Sequence, residues 1–412
     1  MPAVESLNSN LTASDLNKIR QKKRILTLLH SQGPTSAPEL SKLLKISLPT
    51  CILLLNDLIA QGFVKNLGIG ESSGGRKPSL FGLPENRFYV ISCDFARFNA
   101  SMVICDCYNK FATPVVTIDT HIDDPDLADK LFQAAQKLMQ ENNIPKSNVY
   151  GIGVDMPGLI DSKSGINFTI KDKKFQNVKR ELQKKFNKLV YVDNDARMHA
   201  YGEYHFGTAK ESKNSVFIHW SWGLGLGIFV NGQLYSGNGG FAGELSHIPM
   251  VENGDLCICG KRGCLETIAS SNTIIKRVKE GFENHEVSSL INRFKNQPEK
   301  VTPEDVINSA REGDEFCISI LNEIGKAMGK GLSYIIQLLN PEVIVLSGPI
   351  SKANQYVLSP IQQSLNRLCL EKISVNTKVI ISDLGDQSAL LGTSEMVFQK
   401  VFMEMNFSEL KP

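Results

Sequence analysis

The sequence predicts an α/β protein in three parts: a small helical unit closed by a β-hairpin, then two similar α/β halves with a cleft between them. Three observations carry this reading. Residues 16–60 show helical periodicity in three short segments. From residue 88 the pattern switches to apolar runs at hairpin spacing, interleaved with helices. That mixed plan then occurs a second time. The length of 412 residues suits two or three domains, and 42% hydrophobic with 21% charged residues is ordinary globular composition. The predicted boundaries are 1–84, 85–207 and 208–412, with the closing helix able to pack back on the first α/β half.

In residues 16–32, Leu16, Ile19, Ile25, Leu28 and Leu29 suit one face of an amphipathic helix, ended by Gly33 and Pro34. In the next segment Ser36 is a plausible N-cap and Glu39, three residues on, completes a capping box. Leu40, Leu43 and Leu44 form its inner face. A short turn at Ile46-Ser47 leads to a third helix, ended by Gly62. Residues 63–83 then read as two short strands around a glycine-rich tip. Three helices followed by such a hairpin make a winged helix-turn-helix, whose last helix (47–60) would lie in a DNA major groove with Ser47 and Thr50 nearest the bases. No Arg or Lys stands at the start of that helix, so bidentate guanine contacts are not available from it. The hairpin tip compensates: Arg76 and Lys77 sit on flexible glycines in SGGRKPS, slim enough for a narrow minor groove. Residues 1–87 hold 11 Lys and Arg against 6 Asp and Glu, while the whole chain has a net charge of only +2, so a polyanion partner is expected for this unit alone.

Pro84-Glu85 marks the break into the body. Strands are expected at 88–95, 99–107 and 111–119, a helix at 126–142, a strand at 149–158, and a strand at 188–195 running into a helix at 196–207. The second half offers strands at 214–221, 223–232 and 233–235, then a helix at 333–340, a strand at 342–348, a helix, a strand at 378–385 and a closing helix. Ligands bind at the carboxyl ends of strands in such architectures.

No apolar run approaches the roughly 20 residues needed to span a bilayer, and the N-terminus lacks the pattern of a signal peptide. The nine cysteines are scattered and odd in number, which argues against a secreted disulfide framework and for the cytoplasm. Three of them cluster as Cys257-x-Cys259-x4-Cys264, with His247 ten residues earlier. Three thiolates and one imidazole are a sufficient tetrahedral set for a closed, structural Zn²⁺ site, one per chain. Gly254, Gly260 and Gly263 let the backbone bend so that the sulfurs converge.

The segment CICGKRGCLE, preceded by GNGGFAGELSHIPM, resembles the signature of the ROK family of repressors, open reading frames and sugar kinases, and SGGRKP resembles its repressor branch. The resemblance spans about residues 16–400. It implies an actin-like, hexokinase-like fold and a sugar site. By position, Asn194 and Asp195 in VDNDA match residues that bind sugar hydroxyls, and Asp195 matches the catalytic base of the kinases. Glu244 and Glu266 match further hydroxyl-binding carboxylates. His247 matches a residue that ligates zinc and also faces the sugar. Carboxylates are suitable acceptors for vicinal hydroxyls, because charge-assisted hydrogen bonds are the strong ones.

The family's phosphate loops are altered. In the Asp-x-Gly-x-Thr hairpin, Asp94 is present, but Ala96 stands for the glycine and Phe98 for the hydroxyl residue. The second loop, usually Gly-Thr-Gly-x-Gly, reads Ser221-Trp222-Gly223-Leu224-Gly225. Pro349 stands where the adenosine-side loop favours glycine. The expectation is a sugar-responsive regulator, most simply a repressor of carbohydrate-metabolism genes. It would bind operator DNA as a homodimer or homotetramer and respond to a sugar or sugar phosphate, without phosphotransfer. An active sugar kinase with an appended DNA-binding unit is the alternative, and a regulator that binds another protein in place of a sugar is a third reading.

Overall fold

The computed structural model describes residues 12–69, 78–96, 99–295 and 297–405. Arg76 and Lys77 of the hairpin tip, and Phe98, lie outside the described residues.

Helix α1 (Ala13–Gln32) opens on a capping box that pairs Thr12 with Asp15. A two-residue strand, β1 (Thr35–Ser36), leads into α2 (Ala37–Leu44), whose expected capping box forms: the Ser36 amide donates to the Glu39 carboxylate at 3.1 Å and the Ser36 hydroxyl accepts from the Glu39 amide. Lys45 takes a left-handed conformation (φ 56°) in the short turn to α3 (Leu48–Ala60), and the chain direction changes by 112° between the two helices. That is helix-turn-helix geometry. Strands β2 (Lys65–Ile69) and β3 (Ser79–Gly82) form the hairpin, with β1 paired to β3 as a third strand. A two-residue strand has no periodicity to betray it in sequence.

The first half of the body contains β4 (Tyr89–Phe95), β5 (Ala100–Asp106), β6 (Val116–Ile118), α4 (Leu127–Glu141), β7 (Val149–Met156), β8 (Ile160–Asp161), β9 (Ile166–Asn167), α5 (Val178–Phe186), β10 (Leu189–Asn194) and α6 (Asp195–Phe206). The second contains β11 (Ser215–Trp220), β12 (Leu224–Val230), β13 (Gln233–Leu234), α7 (Glu266–Ala269), α8 (Ser271–Glu283), α9 (Ser289–Arg293), α10 (Pro303–Arg311), α11 (Glu315–Leu339), β14 (Val343–Ser347), α12 (Gln355–Leu368), α13 (Glu371–Ser374), β15 (Lys378–Ile381) and α14 (Ser388–Glu404). The two main sheets run β10-β7-β4-β5-β6 and β13-β12-β11-β14-β15. Each is an antiparallel three-strand meander extended by two parallel strands on the side of its first strand. The identical order is the structural form of the repeat expected from sequence. Central strands such as β14 are buried at every residue, as strands covered on both faces must be.

Helix α11 is 25 residues long, although only its last third was expected; Gly325, Gly329 and Gly331 interrupt the pattern, and α12 packs across this region. Strand β6 begins only at Val116, because Phe111 makes an isolated bridge back to Cys105. The hairpin β8–β9 and helices α5 and α8–α10 were not anticipated.

Helix α14 ties the parts together. It packs on β4 and β7, lies along α6 and reaches α1 at its far end. Ile25, Leu29, Leu58 and Phe63 of the N-terminal unit share one core with Phe88, Phe398 and Phe402. Inside that core, His30 Nδ1 faces the Cys107 carbonyl at 2.6 Å and Nε2 faces the Glu395 carboxylate at 2.9 Å. Both partners are acceptors, so both ring nitrogens donate only in the doubly protonated ring. Burial pushes Glu395 up, but His30 outweighs it and holds the carboxyl at about 2; Asn109 and Gln399 also donate to it. Among the described residues no single helix is long and apolar enough to cross a membrane.

Candidate functional site

The loop after β13 folds back on itself through bridges Pro249–Cys264 and Leu256–Arg262. Its turns place one ligand atom each from His247, Cys257, Cys259 and Cys264 within 4.8 Å of one another. Cys259 Sγ lies 3.7 Å from Cys264 Sγ, and Cys257 Sγ lies 3.5 Å from His247 Nδ1. A tetrahedral ion with metal–sulfur bonds of about 2.3 Å and metal–nitrogen bonds of about 2.0–2.1 Å needs edges of about 3.8 and 3.6 Å respectively, so the group fits a metal. Gly263 is obligatory here: its φ is +69°, and a Cβ would sit 1.8 Å from the Val251 carbonyl oxygen. The same loop is fastened to α11, where Lys330 donates to the Met250 carbonyl at 2.6 Å.

His247 uses Nδ1 toward the sulfurs and turns Nε2 outward, 3.9 Å from a Glu244 carboxylate oxygen. Glu266 begins α7, two residues after Cys264, so the cysteine loop fixes its origin. Burial pushes its carboxyl up, His247 and the Leu224 amide oppose the rise, and Glu244 adds to it. Glu244, His247 and Glu266 therefore share one electrostatic neighbourhood. Asn194 and Asp195 form a second group at the end of β10. Asn194 is the N-cap of α6: its side chain accepts from the Arg197 amide and donates to the Gly158 carbonyl at 3.1 Å. Asp195 accepts from the Ala196 amide at 2.8 Å, and its carboxyl is pushed up to about 6 by burial, with that amide opposing and Asp94 adding. Strand β12 joins the two groups. A Cβ on Gly225 would lie 2.3 Å from Ala196 Cβ, and one on Gly223 would lie 3.2 Å from Glu266 Oε2. Glycines at the start of β12 thus let α6 and α7 close on one floor.

In the N-terminal unit, Ser47 caps α3 and its hydroxyl lies 2.7 Å from that of Thr50, so the two are tied together at the exposed helix start.

The ROK family model matches residues 117–400. The chain belongs to the ROK family. A winged helix-turn-helix DNA-binding model matches residues 20–65 as well. The xylose repressor of Caldicellulosiruptor bescii is 28% identical over 402 residues, 95% of this chain and 97% of that protein. The DNA-binding transcriptional dual regulator NagC of Escherichia coli is 26% identical, covering 91% of this chain and 92% of its own length. The crystal structure of a ROK family transcriptional regulator, a homologue of the E. coli MLC protein, matches with a TM-score of 0.81 and 26% identity over 94% of this chain and 97% of that one.

Against the ROK pattern, the first hairpin turns at Ala96, whose amide donates to the Asn99 carbonyl at 2.9 Å. Asp94 and Asp155 face each other beneath it. Burial and the neighbouring Asp94 push the Asp155 carboxyl well up, and Thr393 of α14 donates to it at 2.7 Å. Trp222 occupies the tip of the second loop with its ring partly in solvent and its carbonyl accepting from Asn272 at 3.1 Å. Arg197 was missed in sequence: buried, it pairs with Asp193 and donates to the carbonyls of Gly240 and Ile160, binding the loop before Glu244 to the start of α6. The i, i+4 spacing in Asp193–Arg197 was the available signal. Glu395 was missed because its partner His30 lies 365 residues away.

Proposed function

We propose that this ROK protein is a sugar-responsive transcriptional repressor that binds operator DNA through its winged helix and a sugar or sugar phosphate in the cleft. The single observation that carries this is the union, in one chain, of a helix-turn-helix unit with a ROK body, in an arrangement matched along nearly its whole length by repressors. Asn194, Asp195, Glu244, His247 and Glu266 are assigned to the sugar. His247, Cys257, Cys259 and Cys264 are assigned to one Zn²⁺, whose chemistry is structural: four protein ligands leave no open position. Zinc held there would fix the origin of Glu266 and the orientation of His247.

The nucleotide half of the cleft argues against phosphotransfer. That reaction depends on positioning and on backbone groups approaching the phosphates. Ala96 and Trp222 present side chains where glycine and a small hydroxyl residue are usual in the family. Asp195, the kinase-base equivalent, then acts as a hydroxyl acceptor. A homodimer or homotetramer is assigned because one recognition helix reads too few bases alone, and a cytoplasmic location because operator DNA is the target. Assay of sugar-dependent ATP turnover across a panel of aldoses and N-acetylhexosamines tests the reading. The expected result is background turnover for sugars that raise the melting temperature; robust turnover abolished by Asp195→Asn would replace the repressor with a kinase.

A further inference from the structure

The recognition helix has an unusual solvent face. Cys51, Leu54, Leu55 and Leu58 point into the core. The opposite face carries Pro49, Ile52, Leu53 and Asn56, with Leu48 beside it. Leu48, Ile52 and Leu53 are 39%, 43% and 63% exposed. The helix has no Lys or Arg in its 13 residues, and its one carboxylate, Asp57, is paired with Lys22 of α1. Exposed Lys42 and Lys45 flank its N-terminal end. Adjacent exposed aliphatic side chains on one helix face are a contact surface more often than a solvated one.

We propose that Ile52 and Leu53, with Leu48, read thymine C5-methyl groups in the major groove, so that the half-site is specified by apolar contact to A·T pairs and not by guanine. This rests on the DNA-binding reading above. The occupant follows from place and charge. The face belongs to the second helix of a helix-turn-helix, whose N-terminal residues are the ones that reach base edges. Lys42 and Lys45 lie where phosphates would run, and they disfavour a basic protein partner. Guanine is read mainly by Arg or Lys, which this helix lacks, whereas thymine offers the one apolar group in the major groove. Asn56, one turn beyond Ile52 and Leu53, has the donor–acceptor pair that suits adenine N6 and N7.

The test uses the full chain and a pool of random 30-base-pair duplexes, enriched by repeated gel retention. The enriched duplex is then made with deoxyuridine in place of each thymine, which removes the methyl and leaves base pairing intact. The proposal expects A·T-rich half-sites and an affinity loss of about fourfold for each contacted methyl, from about 0.8 kcal/mol per buried carbon. In Ile52→Ala and Leu53→Ala, both exposed positions, the preference for thymine over uracil should fall below about twofold. Enriched sites that are G·C-rich, or that bind equally well with uracil, overturn the proposal while DNA binding stands. Failure to enrich any sequence overturns the DNA-binding reading itself. Unchanged affinity in the variants together with a lower oligomeric mass overturns the proposal in favour of a protein-docking face. The uracil comparison uses the unaltered protein, so it decides the matter even if a variant misfolds.

Discussion

Helix α3 offers the solvent a face of aliphatic side chains with no cation, while the sugar site proposed above is built on the carboxylates Asp195, Glu244 and Glu266. The two recognition surfaces also differ in how they are held. The α3 face needs only a well-capped helix on a small core: Ser47 caps it, and Leu54, Leu55 and Leu58 anchor it. The cleft needs distant pieces brought together, namely the end of β10, the start of β12, the turn at Glu244 and the cysteine loop. Damage far from the cleft should therefore reach the sugar, whereas α3 should keep its chemistry until the seam between α1 and α14 opens.

The strongest way to sharpen that contrast is to remove a ligand from the group assigned to zinc. Apparent zinc-binding energies in small domains are about 10–16 kcal/mol, and binding is coupled to folding. Cys257→Ser should lose bound zinc by elemental analysis, loosen residues 247–266 in hydrogen exchange and abolish the sugar-induced melting shift, while leaving exchange in α1–α3 unchanged. Zinc-free wild-type protein with a full sugar response would break the contrast.

The seam comes next. His30→Ala leaves the Glu395 carboxylate buried without its ring partner, and a lost hydrogen bond to a charged group costs about 1.5–3 kcal/mol. Disrupting the exposed Lys185–Asp129 pair by Asp129→Ala should cost less than about 1 kcal/mol. Chemical denaturation compares them; equal losses would show that His30 is not what fastens the two parts. The pH dependence has a definite sign. Glu395 is held below its ordinary value, so its contribution is present above the usual glutamate range and is lost as pH falls from about 4.5 toward 2.

A smaller effect separates the cleft by pH. Asp195 is raised to about 6, so folding takes up a proton there between about pH 4 and 6, and a hydroxyl-accepting carboxylate must be ionised. Sugar affinity by calorimetry should be flat above pH 7 and fall about tenfold per unit below 6. DNA affinity at constant salt should not follow the same curve. Affinity for the sugar that is independent of pH down to 5 would remove Asp195 from the acceptor set.

Local chemistry was the readable part. The Ser36–Glu39 box, the cysteine spacing and the strand-to-helix junction at Asn194–Asp195 each sit within a few residues, so sequence order and spatial order agree. Three kinds of feature were hidden. Strand β1 and hairpin β8–β9 are too short to show a period. Helix α11 is masked by three glycines that read as a break. The His30–Glu395 pair, the Thr393–Asp155 bond and the Arg197 contacts to Gly240 and Ile160 depend on pairing across the chain, which no local pattern encodes.

The account stands or falls on whether a sugar bound at Asp195 changes DNA binding at the other end of the chain. The most direct measurement is fluorescence anisotropy of the enriched duplex at fixed salt, with and without each sugar that raises the melting temperature, for wild type and Asp195→Asn. A lost charged hydrogen bond of about 1.5–3 kcal/mol predicts at least about a tenfold weaker sugar affinity in the variant. The predicted result is a sugar-dependent shift in wild-type DNA affinity that Asp195→Asn abolishes at the same sugar concentration, with zinc content and sugar-free DNA affinity unchanged. Wild-type DNA affinity that is the same with and without every stabilising sugar would contradict it.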